Sequence, residues 1–287
     1  MKELKVNNFT FNWGDRTYVM GILNLTPDSF SGDGLAGLDL EAALRQAEGF
    51  VVAGADILDV GGESTRPGAA IVSAQQEMDR VLPLISGLAE EFDTLISIDT
   101  YKAQVAAEAL RLGASMLNDV WGLKADPELA GIAAEANVPV ILMHNRSNPS
   151  NAEVKEQLGP RYIGMAYDDL LEDVKAELVQ SVDLAHQAGI PDERIILDPG
   201  IGFGKTVEQN LELLNRLDEI RSLGYPVLLG PSRKSFIGYT LDLPLDDRVE
   251  GTAAAVAVGI TRGADIIRVH DVPQMIRTAR MTDAIVR

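Results

Sequence analysis

The sequence predicts a (β/α)8 barrel preceded by a β-hairpin, and three observations support this fold class. Eight short apolar runs alternate along the chain with segments that carry helical signals. The runs are continuously hydrophobic, which is typical of strands buried on both faces of a parallel sheet. The 287 residues, 46% of them hydrophobic, suit one such barrel in a single domain over 1–287. A doubly wound open sheet is the structural alternative with the same alternation of elements.

The strands are predicted from these apolar runs and from the polar residues that follow each run. Before them, the segment 4–18 alternates around Asn7 and Asn8 and predicts a hairpin that covers the floor of the barrel. The eight predicted strands comprise residues 18–23, 57–59, 95–98, 116–117, 138–143, 195–197, 227–229 and 266–267.

The helices between the strands are predicted from their end signals. Asp39 is a candidate N-cap of the first helix, and Gly54 lies just past its end. Ser73 and Gln76 have the spacing of a capping box. The predicted helices comprise residues 38–52, 73–92, 102–112, 127–136, 167–187, 207–223, 247–261 and 273–284. The polar stretch 145–164 is the most irregular part of the chain and is interpreted as a mobile lid.

The charge balance restricts the expected partners. With 25 basic and 43 acidic residues, the chain has a net charge of −18, which disfavours nucleic acid and anionic membranes as partners. An anionic small-molecule substrate would therefore need a local cluster of arginine and lysine. Cysteine is absent, no apolar run reaches the roughly 20 residues of a membrane helix, and no secretory signal is visible. We therefore expect a cytoplasmic protein.

Polar side chains follow nearly every predicted strand, at the end of a barrel where active sites form. One group is acidic or uncharged: Asp99, Asn118 and Asp198. Carboxylates in such places need partners, and a flat heterocycle with an amidine edge offers two parallel N–H groups. The other group is basic and predicts a phosphate or diphosphate ligand. It comprises Arg66, Arg233, Lys234, Arg268 and His270. Each residue taken alone also fits a cap, a turn or a structural ion pair.

One glycine-rich run resembles two nucleotide-binding motifs but has the residue spacing of neither. The run GIGFGKT at 200–206 resembles a phosphate-binding loop, but Pro199 stands where that loop requires glycine. The dinucleotide fingerprint also fails, because its third glycine falls at Lys205. These glycines instead predict a close approach of a ring or backbone, with Lys205 either structural or facing the substrate. Three scattered histidines do not indicate a zinc site.

Two long motifs and a series of short ones resemble, in order, the signatures of dihydropteroate synthase. The long motifs are MGILNLTPDSFS at 20–31 and DVGGESTRPG at 59–68. The short motifs are SIDT at 97–100, ND at 118–119, DPG at 198–200, SRKS at 232–235 and RVHD at 268–271. The resemblance spans nearly the whole chain.

The resemblance implies a (β/α)8 barrel that acts in folate biosynthesis and uses Mg²⁺. Members of the family condense 6-hydroxymethyl-7,8-dihydropterin diphosphate with 4-aminobenzoate, which gives 7,8-dihydropteroate and diphosphate. The resemblance also implies a homodimer. One departure is NRS at 145–147, where many members read Met-Gln-Gly. Arg146 is therefore open to two interpretations, a further phosphate contact or a solvated side chain.

The resemblance also implies roles for individual residues. Asn24 would ligate the metal, and Met143 would contact a substrate. The residues that would hold the pterin are Asp99, Asn118, Asp198 and Lys234. The residues that would hold the diphosphate are Arg66, Arg268 and His270. The residues that would border the aminobenzoate are Thr65, Arg66, Pro67, Phe203 and Ser235. The expected catalytic set is Arg66, Asp99, Lys234, Arg268 and His270.

The implied reaction displaces diphosphate from a pterin CH2 group by an aromatic amine. Catalysis should therefore concentrate positive charge at the leaving group and stabilise a cation-like carbon, without a general base. Two rival functions have different requirements. A pterin-binding methyltransferase acting on methyltetrahydrofolate would need no diphosphate cluster. A catalytically silent pterin-binding scaffold would not need Asn24, Asp99, Lys234 and His270 together.

Overall fold

A computed structural model describes residues 3–25, 40–65, 69, 71–155, 158–163 and 166–287. The chain starts with strands β1 (Leu4–Val6) and β2 (Phe9–Phe11), which pair antiparallel with Leu4 opposite Phe11. This is the predicted hairpin. Its apolar side chains pack against the inward-facing residues at the amino-terminal end of the central sheet, so the hairpin closes the floor of the barrel.

Eight parallel strands form the central sheet. In chain order they are β3 (Tyr18–Asn24), β4 (Ile57–Gly61), β5 (Leu95–Asp99), β6 (Met116–Asp119), β7 (Val140–Met143), and then, after two short strands, β10 (Ile195–Asp198), β11 (Leu228–Leu229) and β12 (Ile266–Val269). The order in space is β10-β7-β6-β5-β4-β3-β12-β11. A parallel bridge between Leu197 and Val227 joins the two ends of this order. The (β/α)8 barrel is thereby confirmed, and the open-sheet alternative is wrong.

The helices pack around this sheet close to the predicted positions. They are α1 (Leu40–Ala53), α2 (Ala74–Glu91), α3 (Ala103–Arg111), α4 (Leu129–Ala136), α5 (Leu170–Gln187), α6 (Val207–Asn215), α7 (Leu217–Arg221), α8 (Ser235–Leu241), α9 (Val249–Thr261) and α10 (Val272–Val286). The capping box of α2 is confirmed, because Ser73 and Gln76 exchange both hydrogen bonds. The predicted start of the first helix, 38–39, lies outside the described residues. The predicted helix 207–223 is two helices, because the backbone at Arg216 leaves helical geometry.

The predicted irregular loop 145–164 contains an unpredicted hairpin. Strands β8 (Ala152–Lys155) and β9 (Gly159–Tyr162) pair antiparallel. The hydroxyl of Tyr239 on α8 donates to the carbonyl of Gly159 at 3.0 Å, and the buried Arg248 guanidinium donates to the carbonyl of Leu158 at 2.9 Å. These two bonds fasten the hairpin to the carboxyl-terminal half of the chain.

The barrel interior changes from apolar to polar along the strands. Side chains alternate between the two faces of a strand, so every second residue points inward. The lowest inward layer is apolar and packs on the hairpin; it includes Ile57, Leu95, Met116, Ile141, Ile196 and Ile266. Two residues further along the same strands stand Asp59, Ser97, Asn118, Met143, Asp198 and Arg268. The alternation therefore places a polar layer inside the barrel, at the carboxyl ends of the strands. None of the helices in the described ranges has the length and apolar character needed to span a bilayer.

Candidate active site

The structure joins one member of the predicted basic group to the predicted acidic group. Arg268 donates through Nε to Oδ2 of Asp59 at 2.6 Å, and through a terminal nitrogen to Oδ2 of Asp99 at 2.5 Å. Asn118 donates through Nδ2 to the same Oδ2 of Asp59 at 3.2 Å. Four side chains from four strands thus form one cluster at the mouth of the barrel. Asp59 is not among the site residues that the sequence predicts, because it falls inside the predicted strand 57–59 rather than after it.

Burial decides the protonation behaviour of this cluster. Removal from water raises the pKa of Asp99 to about 7, although the neighbouring Arg268 opposes the shift and Asp59 adds to it. Burial alone would lower the pKa of Arg268, but Asp59 and Asp99 raise it above its ordinary value. Arg268 therefore stays charged, while Asp99 can exchange a proton near neutral pH.

Asp198 ends β10 and faces the same interior. It is 6% exposed, and its Oδ1 accepts a hydrogen bond from the backbone N–H of Gly200 at 2.7 Å. Burial raises its pKa to about 6, whereas the Gly200 bond, Lys234 and Arg268 act in the opposite direction. Met143, the next strand end, is in register with Asp198 and is also buried. Asp198 is therefore a second carboxylate whose charge is costly without a donor-bearing ligand.

The loop after Asp198 takes its shape from Lys205, which is 1% exposed. Its ammonium donates to the carbonyls of Gly200 at 2.9 Å and Phe203 at 3.0 Å, and lies 2.9 Å from Nδ1 of His144. Burial lowers the pKa of Lys205 to about 7. Of the two interpretations that the sequence left open for Lys205, the structural one is correct.

Gly200 is required by this loop for two reasons. Its φ is +70°, and a Cβ built on it would lie 1.9 Å from the carbonyl oxygen of His144. The predicted close approach is therefore an approach of backbone to backbone. A side chain here would meet both the strain of a left-handed conformation and a clash that no rotamer relieves.

We expect Gly200→Ala to lower the free energy of unfolding by about 3 kcal/mol or more, since backbone strain and overpacking add. Gly49 is the matched control: it lies inside α1, and a Cβ there would meet nothing within 4 Å. We expect Gly49→Ala to be neutral or to stabilise by up to about 1 kcal/mol. Urea unfolding of both variants measures the difference; a Gly200→Ala loss below about 1 kcal/mol would contradict this role for the loop.

Lys234 and Phe203 meet at the rim of the site. The ammonium of Lys234 lies 4.0 Å from the centre of the Phe203 ring, a cation–π contact. Lys234 immediately precedes α8, and Ser235 is the first residue of that helix. No helical signal in the sequence predicts α8, because its first residues belong to the motif SRKS that predicts site residues.

His270 lies near the cations but does not add to their charge in this state. Its Nδ1 is 3.0 Å from Oγ of Ser232. Burial, together with Arg268 and Arg233, lowers the pKa of His270 to about 3. The ring is therefore neutral at pH 7, and it can contribute a hydrogen bond rather than a full charge.

Two arginines near the site, Arg233 and Arg146, form ion pairs outside the cluster of Asp59, Asp99, Asn118 and Arg268. Arg233 forms a bidentate ion pair with Asp271, with Nε donating at 2.9 Å. Arg146 donates to Glu177 at 2.7 Å and to the carbonyl of Ala166 at 2.9 Å. Arg146 thus has a structural role that neither interpretation included, and its side chain is 27% exposed rather than fully solvated. It fastens the chain after β7 to α5.

Asn24 ends β3 beside Gly61 and Asp99, in one row across three strands. A Cβ built on Gly61 would lie 3.5 Å from Oδ1 of Asn24 and 3.6 Å from Oδ2 of Asp99. Oδ1 of Asn24 and Oδ2 of Asp99 thus border the same space, and both are oxygen donors of the kind that a hard cation prefers, although Oδ2 of Asp99 also accepts from Arg268. Within the described part of the chain, no group of three or more His, Cys, Asp or Glu side chains is placed to hold a metal.

The segment after β4 is held at both of its ends. Oε1 of Glu63 accepts from the backbone N–H of Val72 at 3.2 Å, and Lys102 forms ion pairs with both Glu63 and Glu77. Thr65, between those ends, is exposed. The predicted residues Arg66 and Pro67 lie outside the described residues.

The fold and the site define a class: a closed parallel barrel whose mouth carries buried carboxylates, an amide and cations for a small polar ligand. Residues 20–270 match the family described as "Pterin binding enzyme". The chain is 51% identical to the dihydropteroate synthase of Clostridium beijerinckii, over 99% of this chain and 100% of that protein. It is 51% identical to the dihydropteroate synthase of Bacillus subtilis, over 95% and 90%. The chain belongs to the dihydropteroate synthases, within the family of pterin-binding enzymes.

Solved structures agree with this assignment. The Clostridium difficile dihydropteroate synthase, crystallised in the presence of pteroic acid, superposes with a TM-score of 0.87 at 48% identity, covering 96% of this chain and 99% of that one. The Yersinia pestis enzyme in a sulfonamide drug complex superposes with a TM-score of 0.89 at 40% identity, covering 99% of both chains.

Proposed function

We propose that this chain condenses 6-hydroxymethyl-7,8-dihydropterin diphosphate with 4-aminobenzoate, giving 7,8-dihydropteroate and diphosphate. The observation that carries the proposal is the cluster of polar side chains at the barrel mouth, in which Arg268 is paired with Asp99 and in which Asn118 and Asp198 are buried. The dihydropteroate synthase relatives support it, and they do not favour the methyltransferase alternative.

The pterin would be bound by its N–H edge. Asp198 is a buried carboxylate at the end of β10, and Asp99 and Asn118 are in register on the neighbouring strands β5 and β6. Ionised carboxylates make strong hydrogen bonds to paired N–H donors, particularly away from water. Lys234, close to Phe203, would cover the ring system from the rim. Met143 would contribute an apolar contact beside Asp198.

The leaving diphosphate would be stabilised by the cations of the site. Arg268 and Lys234 supply positive charge where negative charge develops, and neutral His270 supplies a hydrogen bond. Arg66 is kept as a proposed phosphate ligand on sequence grounds. The donor set at Asn24 and Asp99 fits Mg²⁺, with Asn24 as its proposed ligand. When bound there, Mg²⁺ would offset the charge on the diphosphate oxygens.

The chemical step exchanges one bond for another at the pterin CH2 carbon. The bond to the diphosphate oxygen breaks, the bond to the amine nitrogen forms, and the amine then loses a proton to water. An aromatic amine is neutral at pH 7, so no protein base is needed to activate it. Thr65, Pro67, Phe203 and Ser235 are the proposed border of the aminobenzoate site. Asp99 would stabilise positive charge that develops on the pterin.

The homodimer and the cytoplasmic location stay proposals. Exposed apolar side chains on three mutually packed helices, α6, α8 and α9, support association of two chains. They include Leu211, Leu241 and Val258. Sedimentation at micromolar concentration would distinguish a monomer from a dimer.

Product analysis tests the function directly. The purified chain, both substrates and Mg²⁺ are incubated, and dihydropteroate is measured by mass spectrometry with reactions lacking aminobenzoate as the control. We expect product that depends on aminobenzoate and that is lost when EDTA removes the metal. A folded chain that forms no such product, or that instead transfers a methyl group from methyltetrahydrofolate, would contradict the proposal.

A further inference from the structure

Asp59 is a buried carboxylate beneath the proposed pterin site to which no role has been assigned so far. It stands in the middle of β4 and is 0% exposed. Its Oδ2 accepts two hydrogen bonds, from Nε of Arg268 at 2.6 Å and from Nδ2 of Asn118 at 3.2 Å. Its Oδ1 has no hydrogen-bond partner among the residues that the structure describes. Both partners of Oδ2 are proposed ligand-binding residues.

The bond to Asn118 settles which way that side-chain amide faces. An oxygen that already accepts from a guanidinium can only accept, so the NH2 group of Asn118 must point toward Asp59. The amide oxygen is thereby directed away from Asp59. Asn118 is 3% exposed, so this orientation is not averaged by solvent. Asn118 then offers the ligand an acceptor, as Asp99 and Asp198 do.

The bond to Arg268 has a similar consequence. A guanidinium is a rigid plane with five N–H donors. Asp59 holds Nε and Asp99 holds one terminal nitrogen, which fixes the plane at two points. The remaining N–H donors of Arg268 are then available to a ligand in one fixed orientation. A single oxygen of Asp59 thus orients an acceptor for the pterin and the donors of a cation.

We propose that Asp59 is a positioning residue of the pterin site: it orients the amide of Asn118 so that the ligand meets an acceptor, and it fixes the guanidinium of Arg268. The proposal rests on the function proposed above. The proposed role of Asp59 is more than balancing the charge of Arg268. A residue that served only as a counterion would not fix the orientation of the Asn118 side-chain amide.

Two substitutions separate these roles. Asp59→Asn removes the obligatory acceptor, so the Asn118 amide can invert and present N–H groups to the N–H edge of the pterin. The reciprocal exchange, Asp59→Asn with Asn118→Asp, restores the polarity: residue 59 donates its NH2, and a carboxylate oxygen at residue 118 again faces the ligand. Ser97→Ala is the matched control. Ser97 occupies the same layer on the neighbouring strand, and its Oγ lacks a partner within the described ranges.

The measurement is the Kd of 6-hydroxymethylpterin by calorimetry, with the melting temperature of each variant recorded. We expect Asp59→Asn to weaken binding by about tenfold or more and Ser97→Ala by less than about twofold. The exchange should recover most of the lost affinity. Aminobenzoate KM should change little in all three variants, because the altered groups face the pterin.

Binding within about twofold of wild type in Asp59→Asn would overturn the proposal, as would an exchange variant no tighter than Asp59→Asn. If Asp59→Asn does not fold, the exchange variant decides alone, since it keeps the number of carboxylates; a folded exchange variant that binds no pterin overturns the proposal. Failure of the proposed function gives a different result: wild type that forms no dihydropteroate or binds no pterin at all.

Discussion

Arg268→Gln is expected to lower turnover by about 10²–10³-fold, because it removes a donor directed at the leaving group. It also leaves Asp59 and Asp99 together without their cation. Breaking a buried ion pair costs about 3–5 kcal/mol, so the variant should be destabilised as well. Loss of Arg268 raises the pKa of Asp99 further above its present value of about 7. The destabilisation should therefore be greatest at alkaline pH and smaller near pH 5, where Asp99 is protonated.

Arg233→Gln is the matched control for Arg268→Gln. Arg233 is also an arginine in an ion pair, but it lies in a loop rather than on a strand, its side chain is 36% exposed, and its partner is a single carboxylate, Asp271. We expect its effect on stability to be about 1 kcal/mol or less. Steady-state rates and melting temperatures across pH compare the two variants. Wild-type turnover in Arg268→Gln would reject the leaving-group role.

Asp198→Asn is expected to weaken pterin binding by about 30-fold or more at pH 7.5, because a charged acceptor becomes a neutral group that presents donors. In wild type, binding should depend on pH in a defined direction. The pKa of Asp198 is raised to about 6 by burial and that of Asp99 to about 7. The N–H groups of the pterin bind best to the ionised carboxylates of Asp198 and Asp99. The affinity for pterin should therefore rise between about pH 5 and pH 8. The step near pH 6 should vanish in Asp198→Asn.

The same pKa values set the stability of the free protein. A carboxylate whose folded pKa exceeds its unfolded value binds more protons when folded, so stability falls as pH rises between those two values. For Asp198 and Asp99 this window extends from about pH 4 to about pH 7. Pterin should therefore raise the melting temperature most at the upper end of that window.

Asp119→Asn is the matched control for Asp198→Asn. Asp119 is equally buried, and burial raises its pKa to about 6 as well, but it accepts from the backbone N–H groups of Trp121 and Leu123. We expect the control to lose stability and to keep both the pterin affinity and its pH dependence. An unchanged pterin Kd in Asp198→Asn would contradict the assignment of Asp198.

The sequence predicted the barrel because apolar runs and caps are local signals. The eight strands and the capping box at Ser73 depend on residues close together in the chain. The hairpin β8–β9 escaped prediction, because its polar segment contains Pro160 and its docking depends on Tyr239 and Arg248 from distant elements. Side-chain partners that are far apart in sequence leave no local pattern.

The sequence predicts which strand ends contribute residues to the candidate site. It does not predict which of those side chains are paired with one another. The sequence predicted the same role, as ligand-binding cations, for Arg233 and Arg268. In the fold, Arg233 is paired with Asp271, and Arg268 lies between Asp59 and Asp99. Asp59 could have been found, because it is in phase with the inward-facing Ile57. The neutral state of His270 required knowledge of its burial and its cationic neighbours.

A crystal structure of this chain with pteroic acid tests the central claim most directly. We predict that the N–H edge of the pterin lies within hydrogen-bond distance of Asp198, with the amide oxygen of Asn118 and the carboxylate of Asp99 beside the same ring. Pteroic acid bound away from this layer, or with its pterin ring directed out of the barrel, would contradict the account.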